Sequence, residues 1–545
     1  MPEFEKENWR VKPAPIPDSE IAEEYSADYV VVGCNISGYP VTASIAEESE
    51  NTVISVEYQP QDRFFTFAND IGHINSKYLL ERGVEPVDPI EYYNDFMARS
   101  QNAANPDLVM QFAQNMGEDC QWFLDKIDDE YKQYMGISYF PKNPEMLSEI
   151  GGQKFWNGAV RFLDKYEKYY LFDVYRDLHK KLMALPNCDI HFETEALQLI
   201  QDESGRVIGL DARKRSGGYV RYHVNKAVVL ACGDFAANKE MVDELVCTVT
   251  DVKAREEKPK GGPGGPGGGM GGNWDGRGIR MGVWAGGQLE PRPLGSMNGD
   301  FVQATGTYPG VCICLDKHGN RYMNEYFGDS VVNGKPLARK NYSAFYAIFD
   351  GKMPETVKYS IPGHSYFDPT IPENIENIKL GIEYALRDEE PPRPAGRPKP
   401  GTGIPHLVAA NDLDTLADKL GMDDKTRENM KAAIKRYNEL CYKGRDEDYG
   451  KDSRVLFPLD TPPYVCYRGG GPHALAGIMV TVGGLMTDKY QNVIDEKDEP
   501  IPGLYATGNC CGRRFGAAYF TPVPGTSVGM GITLGRELGK YLASK

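Results

Sequence analysis

The stretch "VVVGCNISGYPV" (Val30–Val41) decides how this chain folds. A run of valines ends in Gly33, and a segment able to form a helix follows. "NTVISVE", ending at Glu57, then supplies a second apolar strand. Asp28 to Gly33, a helix over Val41 to Glu48 and this strand form one βαβ unit. Its turn is a broken G-x-G-x-x-G, because Asn35 replaces the middle glycine between Gly33 and Gly38. Such a turn brings backbone close to a pyrophosphate at a helix N-terminus. Gly33 keeps the tight turn and Gly38 keeps the helix near the strand. Asparagine tolerates left-handed dihedrals, and its amide is a candidate donor to phosphate. Pro40 falls in the first helical turn, where its missing N–H has no intrahelical partner.

From His191 onward, apolar residues alternate between turn residues such as Glu203-Ser204-Gly205. This pattern predicts a small meander, then a strand from Ala227 to Ala231 closing on Gly233. "VTVGGLMTDKYQNVIDEKDEPIPGLYATGN" predicts a late hairpin and strand, and Gly529 to Ser544 a terminal helix. "KGGPGGPGGGMGG" from Lys260 and "PPRPAGRPKPG" from Pro391 read as linkers or surface loops. The literal G-x-G-x-x-G at Gly262, Gly264 and Gly267 follows no strand and opens no helix, so it is not a nucleotide turn.

A chain of 545 residues exceeds one compact core, so several domains are expected. Net charge of −17 argues against a nucleic-acid partner or an anionic membrane surface. No apolar stretch is long enough to span a bilayer, and the polar, acidic first twenty residues carry no signal-peptide core. These features imply a cytoplasmic protein. The 11 cysteines include no C-x-x-C, so no metal, cluster or haem site is expected, and the thiols read as reduced and buried.

"AVVLACGDFAANKEM" from Ala227, "NWDGRGIRMGVWAGG" from Asn273, "GNRYMNE" from Gly319 and "IPGLYATGN" from Ile501 occur in this order. With the helical stretch from Leu413 to Gly450, they resemble the fumarate-reductase and 3-ketosteroid-dehydrogenase-like flavoproteins over nearly the whole chain. The resemblance implies an α/β fold: a Rossmann-like FAD-binding domain built from both chain ends, with an inserted α+β capping domain. The expected divisions are an N-terminal extension (1–27), a first FAD-binding segment (28–245), a capping and substrate domain (246–460) and a second FAD-binding segment (461–545).

The resemblance also implies non-covalent FAD and assigns residues to it. Gly33, Asn35 and Gly38 would meet the pyrophosphate and Glu57 the ribose. "FFTFANDIGHINSK" from Phe64 resembles the loop near the flavin ring, with Asn69, Asp70, Ile71 and Gly72 as candidates. His73 follows in that loop and reads mainly as packing. Ala196 would meet the adenine by backbone and Gly233 would sit behind the adenosine, although Asp234 replaces a usual glycine. Gly508 and Asn509 would approach the ribityl chain. Thr526, Ser527 and Val528 would open the last helix toward the flavin pyrimidine.

The chemistry implied is hydride exchange between flavin N5 and one carbon, with proton transfer at its neighbour. Fumarate reductases carry an arginine soon after "NE", another near the last helix, and a histidine before "T-x-G-G". Here Asp329, Tyr519 and Val480 fall at those positions, so fumarate and succinate are not expected substrates. Tyr519 resembles the tyrosine of the ketosteroid dehydrogenases and is the first candidate acid; Tyr326 is the second. Arg513 and Arg514 read as a solvated turn. The expected function is reduction of a C=C bond conjugated to a carbonyl in a non-dicarboxylate, cyclic or aromatic substrate. Steroid-type Δ1-desaturation is the alternative enzyme reading; a flavin-binding protein without turnover is the alternative of another class. No second nucleotide motif stands in a strand–turn–helix context, so a separate electron donor or acceptor is expected.

Overall fold

The computed structural model describes residues 8–66, 70–137, 149–150, 153–154, 156–162, 169–246, 275–297, 310–326, 345–360, 371–392, 403–467, 480–517 and 519–545. Both low-complexity loops fall almost wholly outside these residues, as do Asn69 and Asp329.

The first half builds one sheet around β1 (Ile21–Val32), α1 (Gly38–Glu48) and β2 (Val53–Val56). Helices α2 (Pro89–Arg99), α3 (Pro106–Asp125) and α4 (Leu171–Leu182) precede β3 (Cys188–His191). The meander follows as β4 (Thr194–Gln201), β5 (Val207–Lys214) and β6 (Tyr219–Leu230). β1 runs parallel to both β2 and β6, with Val32 opposite Val56 on one side and Leu230 on the other. Val30, Val31 and Val32 are buried on both faces, as a parallel sheet covered on both sides requires. β1 begins seven residues before the expected Asp28. Its early half alternates half-buried and exposed residues and pairs with Tyr219–Val224, a weaker pattern than the valine run.

After α5 (Arg277–Trp284), a second sheet is inserted. It comprises β7 (Ile313–Asp316), β8 (Phe345–Phe349), β9 (Leu407–Ala410) and β10 (Tyr464–Tyr467), in the antiparallel order β7–β8–β10–β9. Helices α6 (Pro372–Leu386) and α7 (Asp424–Lys443) accompany it. The chain then returns to the first sheet: β12 (Pro500–Ala506) pairs parallel with β6, and β11 (Asn492–Ile494) pairs antiparallel with β12. The last helix, α8 (Thr526–Ala543), packs on α1, where Gly535 and Gly539 permit backbone approach to Ser37 and Val41. The first sheet is thus made from both chain ends, around an inserted α+β unit.

Apolar clusters cover both faces of the first sheet and the second sheet. Another joins α2, α3, the inserted sheet and the loop before α8, and it contains both Tyr326 and Tyr519. All ten cysteines among the described residues are free.

Candidate active site

The opening turn is sterically closed around its glycines. Gly33 has φ +94°, and a Cβ there would stand 2.8 Å from the Ala231 carbonyl oxygen. A Cβ on Gly38 would fall 1.8 Å from the Gly33 oxygen. Asn35 behaves differently from the expectation. Its backbone is not left-handed. Its amide nitrogen donates to Ala231 O at 2.9 Å, while its Oδ1 accepts the Ser37 N–H at 3.2 Å. One Asn35 amide hydrogen therefore ties the turn to β6, and the second remains for a further acceptor. α1 has no side-chain cap, so its N-terminus keeps donors for an anion. Glu57 lies buried beside the turn and accepts N–H bonds from Cys34 and Gln59, both at 2.9 Å. Burial raises its carboxyl despite those donors. Lone pairs remain for a further donor.

A second helix N-terminus meets the loop of Asp70–Gly72. Gly72 N donates to Gly525 O at 3.1 Å. A Cβ on Gly525, φ +78°, would stand 2.4 Å from Asp70 O, and one on Gly529 would stand 1.8 Å from Gly72 O. α8 starts there without a side-chain cap. Thr526 is buried and its hydroxyl turns back to Val523 O, so its side chain closes the preceding turn. Buried Arg161 approaches Asp70 at 3.7 Å. Gly508 (φ +59°) links the two ends, because a Cβ there would meet Ser37 Oγ at 2.0 Å. The structure thus brings Gly33, Asn35, Gly38, Glu57, Asp70–Gly72, Gly508 and the Thr526–Val528 helix start around adjoining turns.

Ala196 and Gly233 lie on neighbouring elements. Ala196 O accepts from Arg277 at 3.1 Å. Gly233 (φ +95°) accepts the Cys510 thiol at 3.2 Å. The unexpected Asp234 is buried and accepts N–H bonds from Ala236 at 2.7 Å and Thr481 at 3.3 Å, fastening β6 to the "TVGG" segment. Burial pushes its carboxyl up to about 6.

His73 packs as the sequence implies, whereas Arg514 departs from the sequence reading. His73 is fully buried, with Nδ1 against Ile71 O at 2.9 Å and Nε2 against Ser76 Oγ at 2.7 Å. Burial lowers it to about 4, so it is a neutral packing residue at physiological pH. Tyr326 donates its hydroxyl to Tyr359 O at 2.7 Å inside the inserted unit. Arg514 is no solvated turn residue: it is wholly buried. Its Nε donates to Cys511 O at 3.3 Å, Nη2 bonds Asn509 Oδ1, and Nη1 has no partner. Arg513 is partly buried and donates to Ala103 O at 2.9 Å.

Tyr519 is 2% exposed, and its ring centroid lies 4.9 Å from that of Phe515. Phe515 also carries the Arg514 guanidinium, 5.4 Å from its centroid. Tyr92 lies close enough to interact with both Thr526 and Tyr519. Val480 pairs with Met297 across a two-residue ladder at the edge of this cluster. Sequence reasoning missed Glu290 altogether. It is buried, accepts the Arg513 N–H, and fits between Gly483 and Gly512. The glycine pair in "TVGG" was the available cue, because glycines facing nothing in sequence leave room for a side chain from elsewhere.

Residues 28–528 match the family described as FAD binding domain. A vinyl phenol reductase of Lactiplantibacillus plantarum is 22% identical over 544 residues, covering 96% of this chain and 97% of the relative. A cytochrome-type fumarate reductase of Shewanella frigidimarina is 25% identical over 530 residues, covering 95% of this chain and 77% of the relative. A solved 3-ketosteroid-Δ4-(5α)-dehydrogenase of Rhodococcus jostii superposes with a TM-score of 0.66 at 19% identity, over 97% of this chain and 100% of that one. Among the described residues, no helix is long and apolar enough to cross a membrane. With the two-ended sheet, the glycine-lined turns and the match across most of its length, the chain belongs to the FAD-binding family and is a flavoprotein whose cofactor is FAD.

Proposed function

We propose that this FAD-dependent oxidoreductase of CH–CH groups reduces a C=C bond conjugated to a carbonyl, on a non-dicarboxylate cyclic or aromatic substrate. The cofactor is held without a covalent bond. The residues present fit it: α1 and α8 both begin uncapped, glycines line the turns between them, and the Thr507 hydroxyl is buried with no partner. Gly33, Gly38 and the α1 N-terminus would hold the pyrophosphate and Glu57 the ribose. Asp70–Gly72, Gly508 and the Thr526–Val528 start would line the flavin, with the α8 N-terminus balancing negative charge at its pyrimidine. Held by these residues, FAD would supply hydride chemistry at one carbon of the double bond.

Tyr519 protonates the neighbouring carbon. One observation carries this assignment. Tyr519 is buried on the short loop between Gly508–Asn509 and the start of α8, beside the fully buried Arg514. A phenol has an ordinary pKa of ~10, so near neutral pH it is a proton donor. The surrounding Tyr92, Phe96, Phe515 and Phe520 suit a flat apolar substrate and exclude water. The relative named for reduction of a vinyl phenol supports the reductive direction and an aromatic substrate. Electrons would arrive from a separate carrier.

An anaerobic screen tests this reading. Cyclohex-2-enone, a 4-en-3-one steroid, 4-vinylphenol and fumarate are offered with reduced methyl viologen as donor. Viologen oxidation by cyclohex-2-enone or the steroid enone, with fumarate far slower, is the expected result; turnover of 4-vinylphenol alone would keep the aromatic substrate and overturn the conjugated carbonyl. Fumarate as the best acceptor would overturn it. Acid precipitation should release the yellow flavin, and Glu57→Ala should weaken FAD binding; bound colour in the pellet or unchanged affinity contradicts these assignments.

A further inference from the structure

Arg514 has a charge that its surroundings do not balance. Its guanidinium is wholly buried, and no carboxylate among the described residues lies within 4.0 Å of it. A buried cation is costly unless paired. Glu290 is the nearby acid, but its oxygens are held between Gly483, Gly512 and the Arg513 N–H. Burial also pushes Glu290 up to about 7, so near neutrality it supplies only part of a counter-charge. Cys511 and Cys510 flank the guanidinium; burial pushes the Cys511 thiol up to about 11, so it stays neutral. Among the described residues, Tyr519 is the remaining ionisable group that acts on Arg514, with Tyr92 beyond it. Arg514 and Tyr519 both pack on Phe515, and Arg514 Nη1 is unused.

We infer that Arg514 is a positioning residue whose guanidinium takes up the negative charge left on the Tyr519 oxygen when the phenol gives up its proton. This rests on the reading of Tyr519 as proton donor. In that step the Tyr519 O–H bond breaks and its electron pair stays on oxygen. The proton forms a C–H bond with the carbon beside the one that received the hydride, using the electron pair of the former C=C bond. Solvent later returns a proton to the tyrosinate. The partial protonation of Glu290 keeps the guanidinium available for this charge.

The test is a direct titration of Tyr519. FAD-loaded enzyme is labelled at the tyrosine ring carbon bearing oxygen, and the Tyr519 signal is identified by its loss in Tyr519→Phe. It should titrate below pH ~11 in the parent enzyme. Arg514→Met should raise its apparent pKa by about one unit or more, while Arg514→Lys keeps it within about half a unit. Glu290→Gln, which removes the competing carboxylate, should lower it. A purely structural arginine would destabilise the fold in both Arg514 variants and leave the titration unmoved; that result, or a parent Tyr519 that does not titrate below pH ~11, overturns the inference. If Arg514→Met does not fold, an unmoved titration in Glu290→Gln overturns it alone. Failure of the proton-donor reading is seen separately, as normal turnover in Tyr519→Phe.

Discussion

The side chains of Arg321 and Arg514 are both buried, and each is followed five residues later by a buried tyrosine. Around Arg321, in the inserted unit, every charge is matched. Glu325 and Asp446 each bond the guanidinium at 2.8 Å, and Lys451 approaches Glu325 at 3.5 Å. The following Tyr326 spends its proton on a backbone carbonyl. Around Arg514, no carboxylate among the described residues comes within pairing distance, and the acid nearby is itself half-neutral. The first constellation is a closed structural cluster. The second keeps charge unbalanced beside a tyrosine, where the two helix N-termini and the loop before α8 converge. The same residue types thus do different work according to whether their charges are already satisfied.

The largest contrast is expected in turnover. Tyr519→Phe should lose on the order of a hundredfold to ten-thousandfold with FAD binding intact. Tyr326→Phe should stay within a few-fold, which steady-state rates will check. Equal losses would erase the distinction. Stability should reverse the ranking: Arg321→Met takes the ion-pair partner from the buried Asp446 and leaves Glu325 with Lys451 alone, and should cost about 3–5 kcal/mol by urea unfolding. Arg514→Met strands no carboxylate and should cost less.

The two clusters should also respond oppositely to pH. Burial pushes Glu325 and Asp446 up, yet Lys451 and Arg321 for the first, and Arg321 for the second, hold them below the ordinary carboxylate range. Their contribution is full above the unfolded carboxylate pKa and is lost as pH falls through the lower folded value. Glu290 is raised from 4.5 to about 7, so the folded state binds more protons than the unfolded one in that window. Stability therefore falls as pH rises from about 4.5 to about 7. Glu290→Gln should flatten this slope. Urea midpoints at pH 5 and 7.5 read both signs. The smallest effect is the fold cost of Tyr326→Phe, about 1 kcal/mol for one hydroxyl bond.

The βαβ unit, the meander, the late strand and the terminal helix were legible because apolar runs and glycines mark them locally. The early half of β1 was not, since its half-buried alternation gains meaning only from pairing with β6. At the site, Gly33, Gly38, Gly508 and the α8 start were readable as points of close approach. The bond from Asn35 to Ala231 was not legible, because the two residues are 196 positions apart. Arg513-Arg514 looked like an exposed turn because charge alone suggests solvent. Burial of that arginine depends on Phe515, Asn509 and the helices packed over them, none of which a local pattern reports. Glu290 was invisible for the same reason.

The most direct test of the central claim is a single-turnover experiment. FAD-loaded enzyme is reduced anaerobically with dithionite, then mixed in a stopped-flow cell with the best alkene of the screen, in heavy water. The account predicts rapid flavin reoxidation and a product with one solvent deuterium on the carbon beside the hydride-bearing one. It predicts reoxidation at least about a hundredfold slower in Tyr519→Phe, with an unchanged flavin spectrum. Reoxidation of Tyr519→Phe at the parent rate, or failure of every conjugated alkene to reoxidise the parent enzyme, would contradict it.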